Sequence, residues 1–510
     1  MTTTHRNEAQ NEQQVIVVGS GLAGLTAAYT ALRSGAPSVR LLERAAKPGG
    51  NSIKASSGIN GAPTQFQKAA YPDRDEDKFF WDDTVRSAGA RLADQSFSSP
   101  AARQHREKLI SVLTNSSADA IGFLTELGVD LSVVAQLGGH SFPRTHRGAG
   151  KTPPGAAIVT TLLGKLKEEF GPEGRFELVT ECEVTRLLTR SNTAADGRKQ
   201  VVGVEYKKGG GASEAQTLSG PVVFATGGFA GDTHGLLEKY RPDLAGLPST
   251  NDPRPGAHGL LSDVGASLVD MESVQIHPTG FVDPASPGVL LKFLAAEMLR
   301  GEGGILLHRG KRFVNELETR EKVSRVIMDL PPAAEPDGNN TSGLRQWDAQ
   351  LLLDPGATEA AAGHVGFYLW KGLLQKKKVA ELDPATRQTI SEYAALVRDK
   401  KPDGFGRTAF GHWRLGVDKE ISDEEEVCIG RVTPITHFTM GGAVISERAQ
   451  ILASELGEEP ERPVGGLWAA GEITGGIHGD NRLGGSSLLE CVVFGRLAGE
   501  GAAAAIKGEK

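Results

Sequence analysis

The sequence contains few aromatic residues, few cysteines and no long apolar run. Aromatic residues make up only 6% of the 510 residues. The three cysteines, Cys182, Cys428 and Cys491, lie far apart, without a C-x-x-C pair or a His/Cys cluster at zinc spacing. These spacings exclude a disulfide scaffold and a structural zinc site, and we predict no metal site. Because no 18 consecutive apolar residues occur, we also predict no membrane span.

Positive charge is also scarce. Lys and Arg total 56 against 63 Asp and Glu, so the formal net charge is −7, and the chain offers no positive field for a phosphate backbone. We therefore predict that nucleic acid is not a partner. Residues 1–14 lack both the apolar core of a secretory signal and the Arg-rich face of a transit peptide. We predict a short disordered tail there and a cytoplasmic protein.

Glycine, in contrast, is abundant, with 65 residues or about an eighth of the chain against a usual share of roughly 7%. Near the start, the apolar run Val15–Val18 meets a glycine-rich turn, followed by an Ala/Leu-rich stretch, Leu22–Leu32, and a second apolar run, Val39–Leu42. This pattern predicts strand, helix and strand. It is typical of the βαβ unit of a mononucleotide-binding fold.

The turn in this unit reads Gly19-Ser-Gly21-Leu-Ala-Gly24. The first glycine permits a tight turn, the second lets a pyrophosphate approach the backbone, and the third lets helix and strand pack closely. Amides at the helix N-terminus then face the anion. Glu43 ends the second strand, where a carboxylate binds ribose hydroxyls and repels a 2′-phosphate. The sequence therefore predicts a bound dinucleotide, either NAD or FAD.

The rest of the chain predicts an α/β protein with two domains. The segments EVTRLLTR and VVGVEYKKG indicate a strand meander that returns to the main sheet. From Met271 the pattern changes to Pro/Gly-rich loops and Lys/Glu-rich helices. We predict that residues 271–428 form a second domain, inserted into a nucleotide-binding domain of residues 15–270 and 429–510. A strand at Gly466–Ala470 and the Ala-rich last helix complete the latter domain.

Further glycine-rich segments decide between the two dinucleotides. They are Pro48–Ser52, Ser56–Gly58, Ala225–Gly228, Gly466–Glu472 and Asn481–Leu488, and an NAD domain needs none of them. In this order they resemble the FAD-binding elements of the fumarate reductase and succinate dehydrogenase flavoprotein family. The resemblance implies FAD, held by a Rossmann-type domain with an inserted α+β capping domain. The cofactor-binding residues that it implies are Gly19, Gly21, Leu22, Ala23, Gly24, Glu43, Arg44, Gly49, Gly50, Asn51, Ser52, Ser56, Ser57, Gly58, Ala225, Thr226, Gly227, Gly228, Gly471, Glu472, Arg482, Gly485, Ser486, Ser487 and Leu488.

Short motifs with chemically active side chains extend the resemblance over nearly the entire chain after the tail. They are HPT, E-x-x-RG-x-GG, KRF-x-NE, TR, H-x-TMGG and NRLGG. The chain is most similar to the soluble single-subunit fumarate reductases of fungi. It has none of the C-x-x-C-H haem motifs of the bacterial flavocytochromes in the family.

The resemblance implies a reaction, the reduction of fumarate to succinate by hydride from flavin N5, and a role for each active side chain. Arg482 and His437 hold one carboxylate of the substrate, and His277 holds the other. Arg320 donates the proton. Glu297 and Arg300 resemble the relay that returns protons to that arginine from solvent.

Two departures from the family bear on these roles. Bacterial members place a substrate-binding threonine directly before the relay glutamate, whereas this chain has Ala296 there. Thr279 is the candidate substitute. Succinate dehydrogenase subunits attach FAD through a histidine after the glycine doublet, and residues 49–62 contain none. The resemblance therefore implies noncovalent FAD and favours fumarate reduction over succinate oxidation.

Alternatives stay open at the level of the sequence. One is a related ene-reductase or dehydrogenase of the same scaffold, acting on urocanate, an aryl-acrylate or a 3-ketosteroid. Another is the flavoprotein subunit of a membrane complex of the succinate dehydrogenase type. No second G-x-G-x-x-G for NADH is evident, so we expect a reduced flavin or a separate reductase as the electron donor. The oligomeric state is open.

Overall fold

The computed structural model describes residues 14–73, 77–94, 96, 98–150, 152–191, 199–209, 214–296, 298–333 and 343–508. Residues 1–13 of the predicted tail lie outside these ranges. Gln14, which we assigned to the tail, begins the first strand and pairs with Ser38. Its amide is buried and donates to the Ser219 carbonyl, which explains why this polar residue belongs to the sheet.

The strands of the first half of the described chain have these bounds: β1 Gln14–Val18, β2 Ser38–Leu42, β3 Ile59–Asn60, β4 Val133–Ala135, β5 Thr145–Arg147, β6 Phe176–Val179, β7 Cys182–Ser191, β8 Lys199–Lys208, β9 Gln216–Ser219 and β10 Val222–Phe224. Those of the second half are β11 Leu268–Val269, β12 Val274–Phe281, β13 Phe293–Leu294, β14 Ile305–His308, β15 Lys311–Arg312, β16 Ala349–Leu353, β17 Gln375–Lys378, β18 Glu426–Thr439, β19 Gly442–Ala443, β20 Gln450–Leu452 and β21 Pro463–Ala469.

The α-helices are α1 Leu22–Arg33, α2 Gln65–Ala70, α3 Phe80–Ser87, α4 Ala90–Ala93, α5 Pro100–Asn115, α6 Ser117–Glu126, α7 Pro154–Phe170, α8 Leu236–Tyr240, α9 His258–Asp263, α10 Met298–Gly301, α11 Arg320–Met328, α12 Pro355–Ala360, α13 Ala362–Trp370, α14 Pro384–Asp399 and α15 Ser486–Lys507. None of the helices in the described ranges is long and apolar enough to cross a membrane.

The described chain divides into two units, and the first is built on a largely parallel sheet. Its strands follow the order β6-β2-β1-β10-β21-β8-β7. Neighbours from β6 to β8 pair in parallel, and β7 returns antiparallel to β8. Every residue of β1 is buried, as expected of a parallel strand covered on both faces.

The long last helix, α15, packs on α1 through small residues. A Cβ atom added at Gly499 would overlap the carbonyl oxygen of Ala27, and one at Gly495 would lie 2.9 Å from the carbonyl oxygen of Ala23. The two backbones therefore approach closely because these positions carry no side chain. This contact holds the N-terminal turn of α1 against the sheet, where the nucleotide motif lies.

The second unit contains another sheet, with the order β13-β12-β18-β16-β14-β15 and with β17 paired to β18. Apolar residues of β14 and β16, among them Ile305 and Leu352, pack against Ile390 and Tyr393 of α14. The prediction of a Rossmann-type α/β domain with an inserted α+β domain is confirmed by this architecture and by the structural comparison below.

The bounds of the two units differ from the predicted domain bounds. The second unit comprises Ala230–Pro255 and Gln275–Phe438, and the first takes the remaining described residues. The stretch 230–255 belongs to the second unit because Ser249 donates its amide to the Leu290 carbonyl and its hydroxyl to the Thr436 carbonyl. The second unit ends at Phe438 and not at the predicted residue 428, because β18 continues without a break to Thr439. The sequence pattern changes only at the loops, so the prediction from it put the domain boundaries at residues 271 and 428.

Candidate active site

The carboxyl ends of β1, β10 and β21 lie at one edge of the parallel sheet, and the glycine-rich turns follow them there. Gly19, directly after β1, has φ of 102°. A Cβ atom on it would overlap the Ala225 carbonyl, and one on Gly24 would overlap the Gly19 carbonyl. Both positions therefore require glycine for packing inside the protein. Nucleotides bind in open α/β sheets at this edge.

Two other glycines are not explained by protein contacts. A Cβ atom at Gly21 would meet only the Ser52 hydroxyl, at 3.6 Å, and one at Gly227 would meet no atom within 4 Å. The space beside them is open to a ligand, which fits the predicted approach of a pyrophosphate to the backbone. Ser52 accepts a hydrogen bond from the Leu22 amide at 3.1 Å, which brings the second glycine segment to the start of α1.

We call the segments Gly19–Gly24, Gly49–Ser52, Ala225–Gly228 and Gly471–Glu472 the cradle. The second segment joins the first because the Gly49 amide donates to the Ser20 carbonyl. The fourth joins it because a Cβ atom at Gly471 would lie 3.0 Å from the Cβ of Ala23. The predicted cofactor-binding residues of these four segments therefore come together in the first unit.

Glu43 lies at the end of β2, as predicted, and its carboxylate is held by the protein. It accepts hydrogen bonds from the Ser20 amide at 2.9 Å, the Ser20 hydroxyl at 2.6 Å and the Ala45 amide at 2.7 Å. A carboxylate offers about four acceptor positions, and the protein fills three of those of Glu43. Among its predicted neighbours, Arg44 and Asn51 are exposed and Ser56 and Ser57 are half-buried.

The predicted Gly58 has a structural role in this fold. Its φ is 120°, and a Cβ atom there would overlap the His146 carbonyl of β5. Two residues later, buried Asn60 donates to the Gly484 carbonyl at 2.8 Å and to the Ser486 hydroxyl at 3.0 Å. Asn60 thereby fixes the start of α15, whose N-cap is Gly485 with φ of 81°. The sequence carries no motif that singles out this asparagine.

A buried group of charged residues supports the same helix start. His140 lies 2.9 Å from the Gly484 carbonyl through Nε2 and 2.8 Å from Arg144 through Nδ1. Burial and the Arg144 charge lower the pKa of His140 to about 4, so this imidazole is neutral at pH 7. Arg144 itself is paired with Asp77 and Asp83, each at 2.6 Å. The predicted Ser486 and Leu488 are buried at the beginning of α15.

Arg482 lies in the first unit, just before α15. It is 4% exposed and donates to the Leu483 carbonyl at 3.2 Å. His437, its predicted partner, belongs to the second unit.

In the second unit, alternate residues of β12 form one face of the strand. Gln275, His277 and Thr279 are all buried and share this face because strand side chains alternate. His437 lies on β18, the neighbouring strand, with its ring centroid 5.8 Å from that of His277 and the ring planes at 62°. The structure therefore brings together three of the four predicted substrate-binding residues.

Arg320 is the first residue of α11, and Thr319 caps this helix by accepting from the Lys322 amide. The Arg320 guanidinium donates to the Gln275 side-chain oxygen at 3.4 Å. The predicted proton donor thus reaches the strand that carries His277. Sequence reasoning missed Gln275, although its position two residues before His277 places it on the same face.

Arg300 is buried on α10 and joins a network of charged side chains. It donates to the Glu316 carbonyl at 2.8 Å. The Glu316 carboxylate accepts from Arg312 at 2.6 Å and from Arg407 at 2.8 Å, and Arg407 also donates to the Arg300 carbonyl. Arg312 further pairs with Asp403 at 2.5 Å. Glu297, the other predicted relay residue, lies outside the described residues.

A glycine-lined cradle at the carboxyl edge of a parallel sheet, with an acidic residue at the end of β2, defines a dinucleotide-binding class of protein. The family model described as FAD binding domain matches residues 14–488. FAD is thus the cofactor, and the prediction of FAD rather than NAD is confirmed.

Two relatives and one solved structure show which family within this class the chain belongs to. The chain is 39% identical to the fumarate reductase of Schizosaccharomyces pombe over 96% of this chain and 90% of that protein. It is 40% identical to fumarate reductase 1 of Saccharomyces cerevisiae over 95% of this chain and 97% of that protein. The open conformation of a flavocytochrome c3 fumarate reductase superposes with a TM-score of 0.75 at 28% identity, covering 99% of this chain and 80% of that one. The chain belongs to the fumarate reductase family of FAD-binding flavoproteins, as the motifs predicted.

Proposed function

We propose that this chain reduces fumarate to succinate with noncovalently bound FAD. The observation that carries the proposal is its 39–40% identity, over nearly its whole length, to two fumarate reductases. The side chains of the second unit supply the chemistry that this substrate requires. Fumarate has two carboxylates and an unactivated double bond, so a site for it needs anion-binding groups and a proton donor. When bound, FAD supplies the hydride.

His277 is suited to bind one carboxylate through Nε2. The Thr279 amide donates to His277 Nδ1 at 3.3 Å, so Nδ1 acts as an acceptor. A neutral imidazole carries its one proton on the other nitrogen. The proton of a neutral His277 therefore lies on Nε2, the nitrogen that we propose to face a substrate carboxylate.

Thr279 supports His277 rather than replacing the threonine that is absent at position 296. Its hydroxyl donates to the Ala295 carbonyl at 3.2 Å and lies 3.4 Å from His277 Nδ1. A hydroxyl has one proton to donate, and here the protein uses it. We therefore propose Thr279 as a positioning residue, in place of the carboxylate-binding role that the sequence suggested.

His437 and Arg482 are the proposed partners of the second carboxylate. The Thr250 hydroxyl lies 3.3 Å from His437 Nδ1 and restrains that ring. A guanidinium binds a carboxylate in a bidentate manner, and a buried one such as Arg482 acts in a low-dielectric environment, where its attraction for negative charge is strongest.

Arg320 is the proposed proton donor to the carbon that does not receive hydride. The developing carbanion is a much stronger base than water, so transfer from a guanidinium runs downhill despite its reference pKa above 12. Gln275 fixes Nη1 of Arg320. Glu297 and Arg300 are proposed to return the proton, and the Glu316 network holds Arg300 in place.

Anaerobic turnover with reduced viologen tests the function. We expect succinate from fumarate and far lower rates with urocanate, cinnamate and a 3-ketosteroid. A preference for any of the other three substrates would contradict the proposal, and co-purification of a second chain would favour the membrane-complex alternative. Acid precipitation should release all flavin as FAD, whereas flavin retained on the denatured chain would contradict noncovalent binding. A reduced flavin or a separate reductase as donor and a cytoplasmic location stay predictions.

A further inference from the structure

The two residues directly before Arg482 pack on the turn between α3 and α4. The Asp480 amide donates to the Ala88 carbonyl at 2.9 Å. The Ser87 hydroxyl donates to the Asn481 carbonyl at 2.9 Å and accepts from the Asn481 side-chain amide at 3.0 Å. This turn therefore holds the backbone on the N-terminal side of Arg482.

An arginine of α4 holds the Asp480 side chain as well. The Arg91 amide donates to Asp480 Oδ2 at 3.1 Å, and Arg91 Nε lies 2.9 Å from Asp480 Oδ1. A Cβ atom at Gly89, whose φ is 66°, would lie 2.9 Å from Asp480 Oδ2. A side chain at position 89 would crowd this carboxylate, so glycine there leaves room for the ion pair.

The same guanidinium reaches two further carboxylates. Arg91 Nη1 donates to Asp270 at 3.1 Å, and Nη2 pairs with Glu272. Asp270 is 5% exposed and also accepts from the buried Arg106, at 2.6 and 3.2 Å. The buried Asp270 thus fixes Arg91 at one end, and Arg91 in turn fixes Asp480, whose side chain is 40% exposed.

Arg482 is consequently held from both sides along the chain. On its C-terminal side, the Gly484 carbonyl accepts from Asn60 and lies 2.9 Å from His140 Nε2. On its N-terminal side, Asp480 is held by α4. The placement of a guanidinium matters because bidentate binding of a carboxylate requires one orientation of its planar fork. A misplacement of about 1 Å at a reacting group can cost about 10²-fold in rate.

We propose that Arg91 is a positioning residue for Arg482 and acts on it through Asp480. The inference rests on the proposed function, because it takes Arg482 to bind a carboxylate of fumarate. Arginine suits this role because its fork can donate to several carboxylates at once, whereas a lysine donates from a single nitrogen. Loss of Arg91 should therefore impair the reaction in the same way as loss of Arg482 does, only less severely.

A double-mutant cycle on the FAD-loaded protein tests this proposal. Arg91→Met should lower kcat/KM for fumarate at least about tenfold, with KM raised and kcat lowered. A merely structural loss would reduce the amount of active protein and so lower kcat at an unchanged KM. In the Arg482→Ala background, Arg91→Met should change kcat/KM less than about twofold. The same fold-loss in both backgrounds, or an unchanged KM in Arg91→Met, would overturn the proposal.

The matched control is Arg103→Met on α5, which removes an arginine paired with Glu107 at 3.0 Å and should keep wild-type kcat/KM. If Arg482→Ala has no measurable turnover, a second cycle decides. Asp480→Asn should reproduce the loss of Arg91→Met, and the double variant should lose no more than either single one, whereas multiplied losses would contradict the route through Asp480. A wild-type protein without fumarate turnover would instead contradict the proposed function, and the inference with it.

Discussion

Two regions of the molecule hold carboxyl groups in opposite ways. In the cradle of the first unit, Glu472 accepts hydrogen bonds from the neutral donors of Thr439. In the second unit, Glu316 lies between the guanidinium groups of Arg312 and Arg407. Asp403 joins this second cluster through Arg312. Glu316 is buried and Glu472 is half-buried, and the two carboxyl groups also differ in their partners.

The pKa values follow the partners rather than burial alone. Burial raises the pKa of both Glu472 and Asp403. For Glu472 it prevails and the pKa reaches about 7, whereas for Asp403 the hydrogen bonds from the Arg407 amide and from Arg312 outweigh it and the pKa falls below its usual range. The first region can therefore exchange a proton near neutral pH. In the second, the lowered pKa keeps Asp403 charged at neutral pH, and the cluster supports Arg300 through the Glu316 carbonyl.

The largest expected effect concerns the cation that we propose to act in catalysis. Arg320→Ala should reduce succinate formation by at least about 10³-fold, within the range that general acid catalysis supplies, with normal FAD content. The control is Arg325→Ala on the same helix, whose side chain is 74% exposed and paired with Glu321; its turnover should be unchanged. Retention of more than about a tenth of wild-type kcat by Arg320→Ala would exclude it as the acid.

Next in size is the loss of a cation that holds the second region together. Arg407→Met should destabilise the protein by about 4 kcal/mol, because it removes one of the two guanidinium groups that compensate the buried Glu316. Urea unfolding of the FAD-loaded protein measures this loss. Arg414→Met, which removes a half-exposed partner of Glu359, should cost less than about 1 kcal/mol. Equal losses in the two variants would show that Arg407 does not stabilise the protein by compensating the buried Glu316.

The Glu472→Gln variant tests the difference between the two regions through the pH dependence of the free energy of unfolding. The pKa is raised from 4.5 to about 7 on folding, so folded wild-type protein keeps the proton longer than the unfolded chain. Its stability is full below pH 4.5 and declines as the pH rises to 7. The glutamine variant has no such decline. Its free energy of unfolding should therefore exceed that of the wild type by an amount that grows to about 3 kcal/mol as the pH rises. Unfolding at a fixed FAD concentration checks this, and a difference independent of pH would contradict it.

The smallest expected effect is at Thr279, where only neutral hydrogen bonds are involved. Thr279→Val keeps the shape but loses the hydroxyl that bonds to the Ala295 carbonyl and neighbours His277. We expect kcat/KM for fumarate to fall about tenfold, which corresponds to about 1.4 kcal/mol. Thr279→Ser restores the hydroxyl and should recover most of the activity. A loss as large as that of Arg320→Ala would instead indicate direct contact with the substrate.

The glycine turn of the cradle could be predicted from the sequence because it depends on local backbone conformation. Gly19 needs a positive φ, Gly24 needs contact without a side chain, and each requirement acts within a few residues of β1. The strand and helix bounds around them follow from short apolar patterns for the same reason. Resemblance supplied the identity of the cofactor, and the family match supports it.

The partners of the active side chains could not be predicted in this way. Asn60 and Ser486 are 426 positions apart, Arg407 and Glu316 are 91 apart, and Arg320 and Gln275 are 45 apart. Strand order and helix packing decide which of many polar residues meet, and no local pattern encodes that choice. The sequence by itself determined the nucleotide fold, because glycine conformation and apolar spacing are local properties, and its resemblance to a flavoprotein family supplied FAD and the candidate residues. Only the tertiary structure decided that, among the described residues, Glu472 has no hydrogen-bonded cation while Glu316 has two, because a side chain's charge state depends on the neighbours that folding brings to it.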